Sequence, residues 1–501
     1  MARPRIRVLL LLPLAWACRA GAAGAEGDAE DEVARLLRAD RPAEAAALLE
    51  DRAAAAPFDS AIWVRLGDVQ RVRCDLVASQ DAYEHALAQD LFDPAARAGL
   101  SEVLLLQGRA EEALAGAEVG LALPHGAGDS ALWRAKAVAL VELRRYDLAL
   151  DAARTSAAFD PTSPQAVEAL ARASFHAGDM AAAREAYARE VALDPDAEEA
   201  NLRLGSGFGG EAKGAPWRDG EDAALFEAAV AAWDRGDADE AGRIFRALCF
   251  RAPDVYKYRL GLGVARATIR RRHEVRFGGD VTVSYLRLPG PEFEGLGRVV
   301  KGYESRPPLE RHVIRVAVAP ARRWWPALEK AGATHEILDL EQCLADAPDR
   351  AGLEGKRTFD GRLYEHLRGV GGKAAATGSE KLREAAEFGF NTFAHEFAHQ
   401  MLEHAFPKDL AAEVKSLYAT ARTENRFLDY YAASNVDEYF AQGYEALVSQ
   451  AKRGCLKETQ RHTRAELASK DPALFEFLLR NLDLSHETPE VMEAFRAALP
   501  P

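Results

Sequence analysis

The residues with the clearest chemical potential lie in Phe393-Ala394-His395-Glu396-Phe397-Ala398-His399-Gln400. On a helix, His395 and His399 share one face a turn apart, so two imidazoles can hold one metal ion with Glu396 beside it. Interleaved Phe393, Ala394, Phe397 and Ala398 give that helix an apolar side to bury. Two neutral imidazoles and a nearby carboxylate suit zinc, which acidifies a bound water and polarises a carbonyl, with Glu396 free to move protons.

The third ligand is less directly legible. A Gly and a His at the metzincin positions are replaced by Leu402 and Ala405, and thermolysin-type spacing falls on Tyr418. His404, one residue out of place, reads as a surface or neighbouring group. Glu438, with Ala441 and Gln442 on one helical face, can complete a two-His, one-Glu site. On sequence alone Glu413, Glu424 and Glu445 compete with it. Gln442 or Asp437 is placed to orient a histidine ligand through its second ring nitrogen.

This region resembles the gluzincins related to the catalytic domain of anthrax lethal factor, a group that includes secreted Pro-Pro endopeptidases. In that family H-E-x-x-H is followed about forty residues later by E-x-F-A-x, with a tyrosine seven residues before the Glu. Glu438-Tyr439-Phe440-Ala441-Gln442 and Tyr431 match. Tyr303-Glu304-Ser305-Arg306-Pro307-Pro308-Leu309, Thr358-Phe359-Asp360-Gly361-Arg362, Arg368-Gly369-Val370-Gly371-Gly372 and Thr377-Gly378-Ser379-Glu380-Lys381-Leu382 resemble the upstream parts of such domains, so the likeness spans about residues 298–450. The resemblance implies zinc held by His395, His399 and Glu438, Glu396 as general base, and Tyr431 as donor to the oxyanion. Pro-Pro specificity does not follow from it. The stretch 369–378 reads either as an edge strand that receives substrate backbone or as a surface loop.

The elements that must position these residues divide the chain unevenly. Over 28–203 the sequence is Ala- and Leu-rich with helical periodicity. Asp160-Pro161 and Asp194-Pro195 recur 34 residues apart, the tetratricopeptide period. Trp63-Val64-Arg65-Leu66-Gly67, Tyr83, Ala86 and Asp93-Pro94 fit one such unit, and Trp133, Ala137, Ala149, Leu170, Ala171, Ala183 and Tyr187 repeat the layout. This resembles four or five tetratricopeptide repeats, stacked as a solenoid with a groove for a protein partner. A Gly-rich linker follows at 204–220, then one more helical hairpin over 221–274. Residues 275–501 are expected to form the zinc metallopeptidase domain, an α+β zincin, with strands at 281–286 and 313–318.

At 501 residues the chain exceeds one core, as single cores stop growing near about 250–300 residues. A net charge of -14 argues against bulk nucleic-acid binding. Residues 1–25 carry a basic start, a short apolar run and Ala23-Gly24-Ala25, the pattern of a signal peptide, so the mature protein is expected to be exported, periplasmic or extracellular. Cys18 allows a competing reading as a lipoprotein anchor. No other stretch is long enough for a transmembrane helix, and the five cysteines show no zinc knuckle or disulfide framework. The expected function is therefore zinc-dependent endopeptidase, with repeats that bind protein. The alternative is a protein-binding scaffold whose zinc domain is inactive.

Overall fold

The computed structural model describes residues 32–39, 41–73, 75–123, 126–208, 220–277, 288–347, 350–358, 361–388, 391–429, 431–449 and 462–489. The expected signal peptide and Cys18, the strand at 281–286 and most of the linker lie outside them. Cys249 and Cys343, both described, are in no disulfide.

The N-terminal part is a stack of antiparallel helix pairs: Ser60–Val72 with Leu76–Gln89, Pro94–Leu106 with Ala110–Ala122, Ser130–Glu142 with Tyr146–Phe159, and Pro164–His176 with Met180–Leu193. Asp59, Asp75, Asp93, Asp129, Ser163 and Asp179 each cap a following helix by accepting from its first-turn amides, satisfying donors that have no partner inside the helix. Close approach is set by small residues. A Cβ added to Gly67 or Gly99 would lie 2.8 or 2.3 Å from the Tyr83 ring, so one buried tyrosine wedges between two pairs, its hydroxyl donating to Asp68 at 2.7 Å.

The hairpin expected at 221–274 appears as Gly220–Asp234 and Ala238–Arg251, followed by Tyr256–Phe277. It repeats the same device, since a Cβ on Gly261 would meet the Phe245 ring at 2.3 Å. This hairpin is docked onto the C-terminal part. Leu340 joins its hydrophobic core, and the buried Lys257 ammonium donates to the carbonyls of Leu340, at 2.9 Å, and Gln342. Tyr256 stacks on His366 at 3.7 Å, and the Arg383 guanidinium lies 3.8 Å over Trp233. The first residues of the expected linker are also packed. Leu204–Phe208 is a buried turn with Gly207 at φ 121°, where a side chain would press on Arg362 and Leu367.

The C-terminal part is mainly helical and carries a three-stranded sheet among its described residues. Its strands are β1 (Thr334–Leu338), β2 (Gly369–Val370) and β3 (Ala374–Gly378), in the order β1-β3-β2. β1 and β3 are parallel, and β2 is the antiparallel edge. The strand expected at 313–318 is instead the end of a helix, Pro308–Val318, with proline in its first turn. Val313, Ile314, Val316 and Ala317 are all buried. They form a helical stripe against the core, and a short apolar run cannot be assigned by periodicity alone. The same core takes in Phe393, Phe397, Met401, Tyr444, Leu474 and Phe477.

Candidate functional site

The histidines lie on the helix Thr392–Gln400, whose first turn is capped by Asn391 accepting from the Ala394 amide at 3.1 Å. Phe393 and Phe397 turn inward, stacking on His335 at 4.1 Å and packing near Trp325 at 5.8 Å. Gln400 ties the helix end to the sheet, its amide donating to the carbonyls of Thr334 and Lys373. The opposite face therefore presents His395, Glu396 and His399, all buried.

A second helix, Val436–Val448, supplies the carboxylates. Asn435 caps it by accepting from the Asp437 and Glu438 amides at 2.9 Å each. Glu438 Oε2 lies 3.0 Å from His395 Nε2 and 3.5 Å from His399 Nε2, and the two ring nitrogens are 3.3 Å apart. Zinc–ligand bonds of about 2.0–2.1 Å in a tetrahedron space the donors about 3.4 Å apart. The three observed separations bracket that value, so the donor set fits a zinc ion. Among the described residues these are the one group of three or more with metal-binding geometry.

Glu445, a rival ligand on sequence alone, sits instead behind the site, with Oε2 3.4 Å from His395 Nδ1, where a carboxylate fixes the ring and its tautomer. That is the role expected of Gln442 or Asp437. Asp437 is exposed, while Gln442 is buried on the same helix. The signal for Glu445 is its position seven residues after Glu438, two turns along the same face.

Burial pushes the Glu396 carboxyl above the usual range, and neighbouring Glu438 and Glu445 add to this against the opposing charges of His395 and His399. Glu438 is driven the other way: burial disfavours its charge, but hydrogen bonds from His395 and His399 more than compensate. His395 is raised well above its ordinary value despite burial, chiefly through Glu438 and Glu445. In the metal-free protein protons and metal compete for the same nitrogens.

Tyr431 lies in the turn before the second helix, its ring 6.2 Å from that of His395. Burial and the Glu438 charge keep its phenol protonated well above the usual range, so it is a hydrogen-bond donor at neutral pH. Tyr430 lies outside the described residues. The glycines over the site have a steric reason the sequence did not disclose: a Cβ on Gly369 would sit 2.5 Å from Glu396 Oε1, and one on Gly371 2.7 Å from His399 Cδ2. Arg350 holds this strand end by donating to the Gly371 carbonyl at 2.6 Å.

A family profile described as tetratricopeptide repeat matches residues 134–198. Those residues are similar to tetratricopeptide repeats. They comprise all but the first turn of the pair Ser130–Glu142 and Tyr146–Phe159, and the whole of the next pair in the stack. Similar solved structures include PilW, a type IV pilus biogenesis factor (17% identity, 44% of this chain and 90% of that one, TM-score 0.30). Others are a thermophilic tetratricopeptide-repeat protein of Thermus thermophilus (18%, 41% and 98%, 0.29) and pilF of Pseudomonas aeruginosa (15%, 44% and 89%, 0.29). No curated protein matches the chain significantly. Among the described residues no helix is long and apolar enough to cross a membrane.

Proposed function

We propose that the chain is an exported, secreted or periplasmic, zinc-dependent endopeptidase of gluzincin type, with residues 275–501 as its catalytic region. The convergence of His395, His399 and Glu438 carries this reading. Three protein donors are the complement of catalytic zinc, whereas structural sites use four. Bound there, zinc supplies Lewis acidity and lowers the pKa of water. Glu396, adjacent but outside the donor set, takes a proton from the attacking water, and its raised pKa suits it to pass that proton to the leaving amine. The Tyr431 hydroxyl donates to the oxygen that gains charge as the carbonyl becomes tetrahedral. β2, the edge of the sheet beside the histidine helix, offers backbone groups to an extended peptide. Substrates are accordingly peptides or proteins.

The repeats support a protein-binding role for the solenoid, and the scaffold reading would make that the whole function. Elemental analysis and peptide turnover separate the two. His395→Ala and His399→Ala should lose zinc, while Glu396→Ala should keep it and lose hydrolysis. Full zinc in the His399→Ala protein, or unchanged turnover in the Glu396→Ala protein, would refute the peptidase.

A further inference from the structure

In three of the described inter-helix turns the chain passes through a left-handed glycine. Gly108, Gly178 and Gly236 fill that place, at φ 78°, 82° and 82°. In each the glycine amide bonds three residues back, to Leu105, Phe175 and Trp233, and the next amide bonds five back. The turn between Ser130–Glu142 and Tyr146–Phe159 has the same two bonds, from Arg144 to Val141 and from Arg145 to Leu140. There the left-handed residue is Arg144, at φ 58°. A Cβ is disfavoured in that conformation, and glycine is the residue that removes the penalty. An arginine at a glycine position suggests a role for its side chain.

That side chain leaves the solenoid. Arg144 Nη1 donates to the carbonyl of Phe427, 283 residues away in the chain. Phe427 begins the stretch that delivers Tyr431. Two residues on, buried Asp429 accepts from the Ala432 amide at 2.7 Å and lies 3.3 Å from His462 Nε2. The Ala433 amide returns to the Asp429 carbonyl, and the Ser434 amide to the Tyr431 carbonyl. Asp429 stays below the usual carboxylate range: burial raises it, but the hydrogen bond and charge of His462, with the charge of Arg144, reverse that. Tyr146 and His176, stacked at 5.7 Å on the same side of the solenoid, also lie within reach of the Asp429 charge.

We propose that Arg144 is a positioning residue for the reaction: it latches the Tyr431 turn onto the repeats, so that the donor to the oxyanion is set by the docked solenoid. The proposal rests on the peptidase reading for its catalytic consequence, while the latch itself is structural. Arg144→Gly is a direct test, because it installs the residue found in those three turns and removes the contact while easing, not straining, the local backbone.

The experiment uses the full zinc-loaded chain. Hydrogen exchange is read at the amides of Ala432, Ala433 and Ser434, and turnover is measured on a mixed peptide library. In Arg144→Gly these amides should exchange about tenfold faster, the scale of one hydrogen bond from a charged donor. kcat should fall by about the same factor. KM, zinc content and melting temperature should not fall with it, and Arg144→Lys should recover part of the loss. Unchanged exchange in Arg144→Gly overturns the latch whether or not the protein hydrolyses peptides. Faster exchange with unchanged kcat overturns its catalytic part. Failure of the peptidase reading itself would show separately, as turnover indifferent to Glu396→Ala.

Discussion

Gly371→Ala is a small perturbation with a specific expected consequence. Gly371 does not have a positive φ, so the backbone accepts alanine and any effect must be steric. The new methyl would stand 2.7 Å from His399 Cδ2 and 2.8 Å from its Cβ and Cγ, whereas carbon atoms pack at about 3.5–4.0 Å. Something must yield by about 0.7 Å or more, and zinc–ligand distances tolerate only about 0.2 Å. The strand is held by Arg350 and by pairing to β3, which leaves the imidazole to move. Overpacking of this kind costs about 1–3 kcal/mol, which weakens zinc binding roughly 5- to 150-fold. Competition against a chelating indicator measures it. The control is Gly369→Ala, whose methyl would meet Glu396 Oε1 at 2.5 Å; it should keep zinc and lose kcat. If Gly371→Ala binds zinc as tightly as wild type while folding normally, the packing of the segment after β2 on the histidine helix is not what holds His399.

Tyr431→Phe should keep zinc and fold but lower kcat about a hundredfold, with little change in KM, as expected for one preorganised donor to the oxyanion; near-wild-type kcat would remove Tyr431 from the chemistry. Glu445→Gln should weaken zinc binding about 10- to 100-fold by loosening His395, and unchanged affinity would show the carboxylate is not needed there. Acid stability should reflect buried histidines. Burial depresses His335 to about 3, despite the hydrogen bond its Nδ1 donates to Gln400 Oε1, and His366 to about 4, with Lys257 adding to the burial effect. Below an unfolded value of about 6.5 the unfolded chain binds protons that the folded one refuses, so stability falls as pH drops, by up to about 1.4 kcal/mol per pH unit for each group. Melting curves from pH 7 to 4.5 should show this, less steeply for His335→Gln; identical slopes would contradict it.

The repeats were legible because their signal is local and iterated: Gly67, Tyr83 and the Asp caps each recur where the packing needs them. The convergence of His395, His399 and Glu438 was legible at its histidine end through helical spacing alone. Glu438 needed the family resemblance, since the sequence cannot say which of several glutamates a 43-residue separation brings to His395. Glu445 was visible as a candidate but took another role, because only the packing angle of two helices decides which carboxylate faces Nε2 and which Nδ1. The misassigned strand at 313–318 failed for a different reason: a helix buried on the required face by β-branched residues carries no alternation to distinguish it. Arg144 was hidden entirely, as its partner is 283 residues distant.

Lys257 has a consequence for how the molecule is made. Its ammonium is buried against carbonyls that lie 83 and 85 residues later, and the hairpin's core also waits for Leu340. As the chain emerges from its N-terminus, the hairpin can form its helices early. It cannot close over Lys257 without burying an amine that has not yet met its carbonyl acceptors. Completion of the last repeat is thus withheld until the first strand of the C-terminal part has arrived. A truncated chain ending before residue 340 would keep an open, sticky hairpin at its end, marked for aggregation or degradation. The repeat array in effect tests whether the C-terminal part has been synthesised before its own final face is sealed.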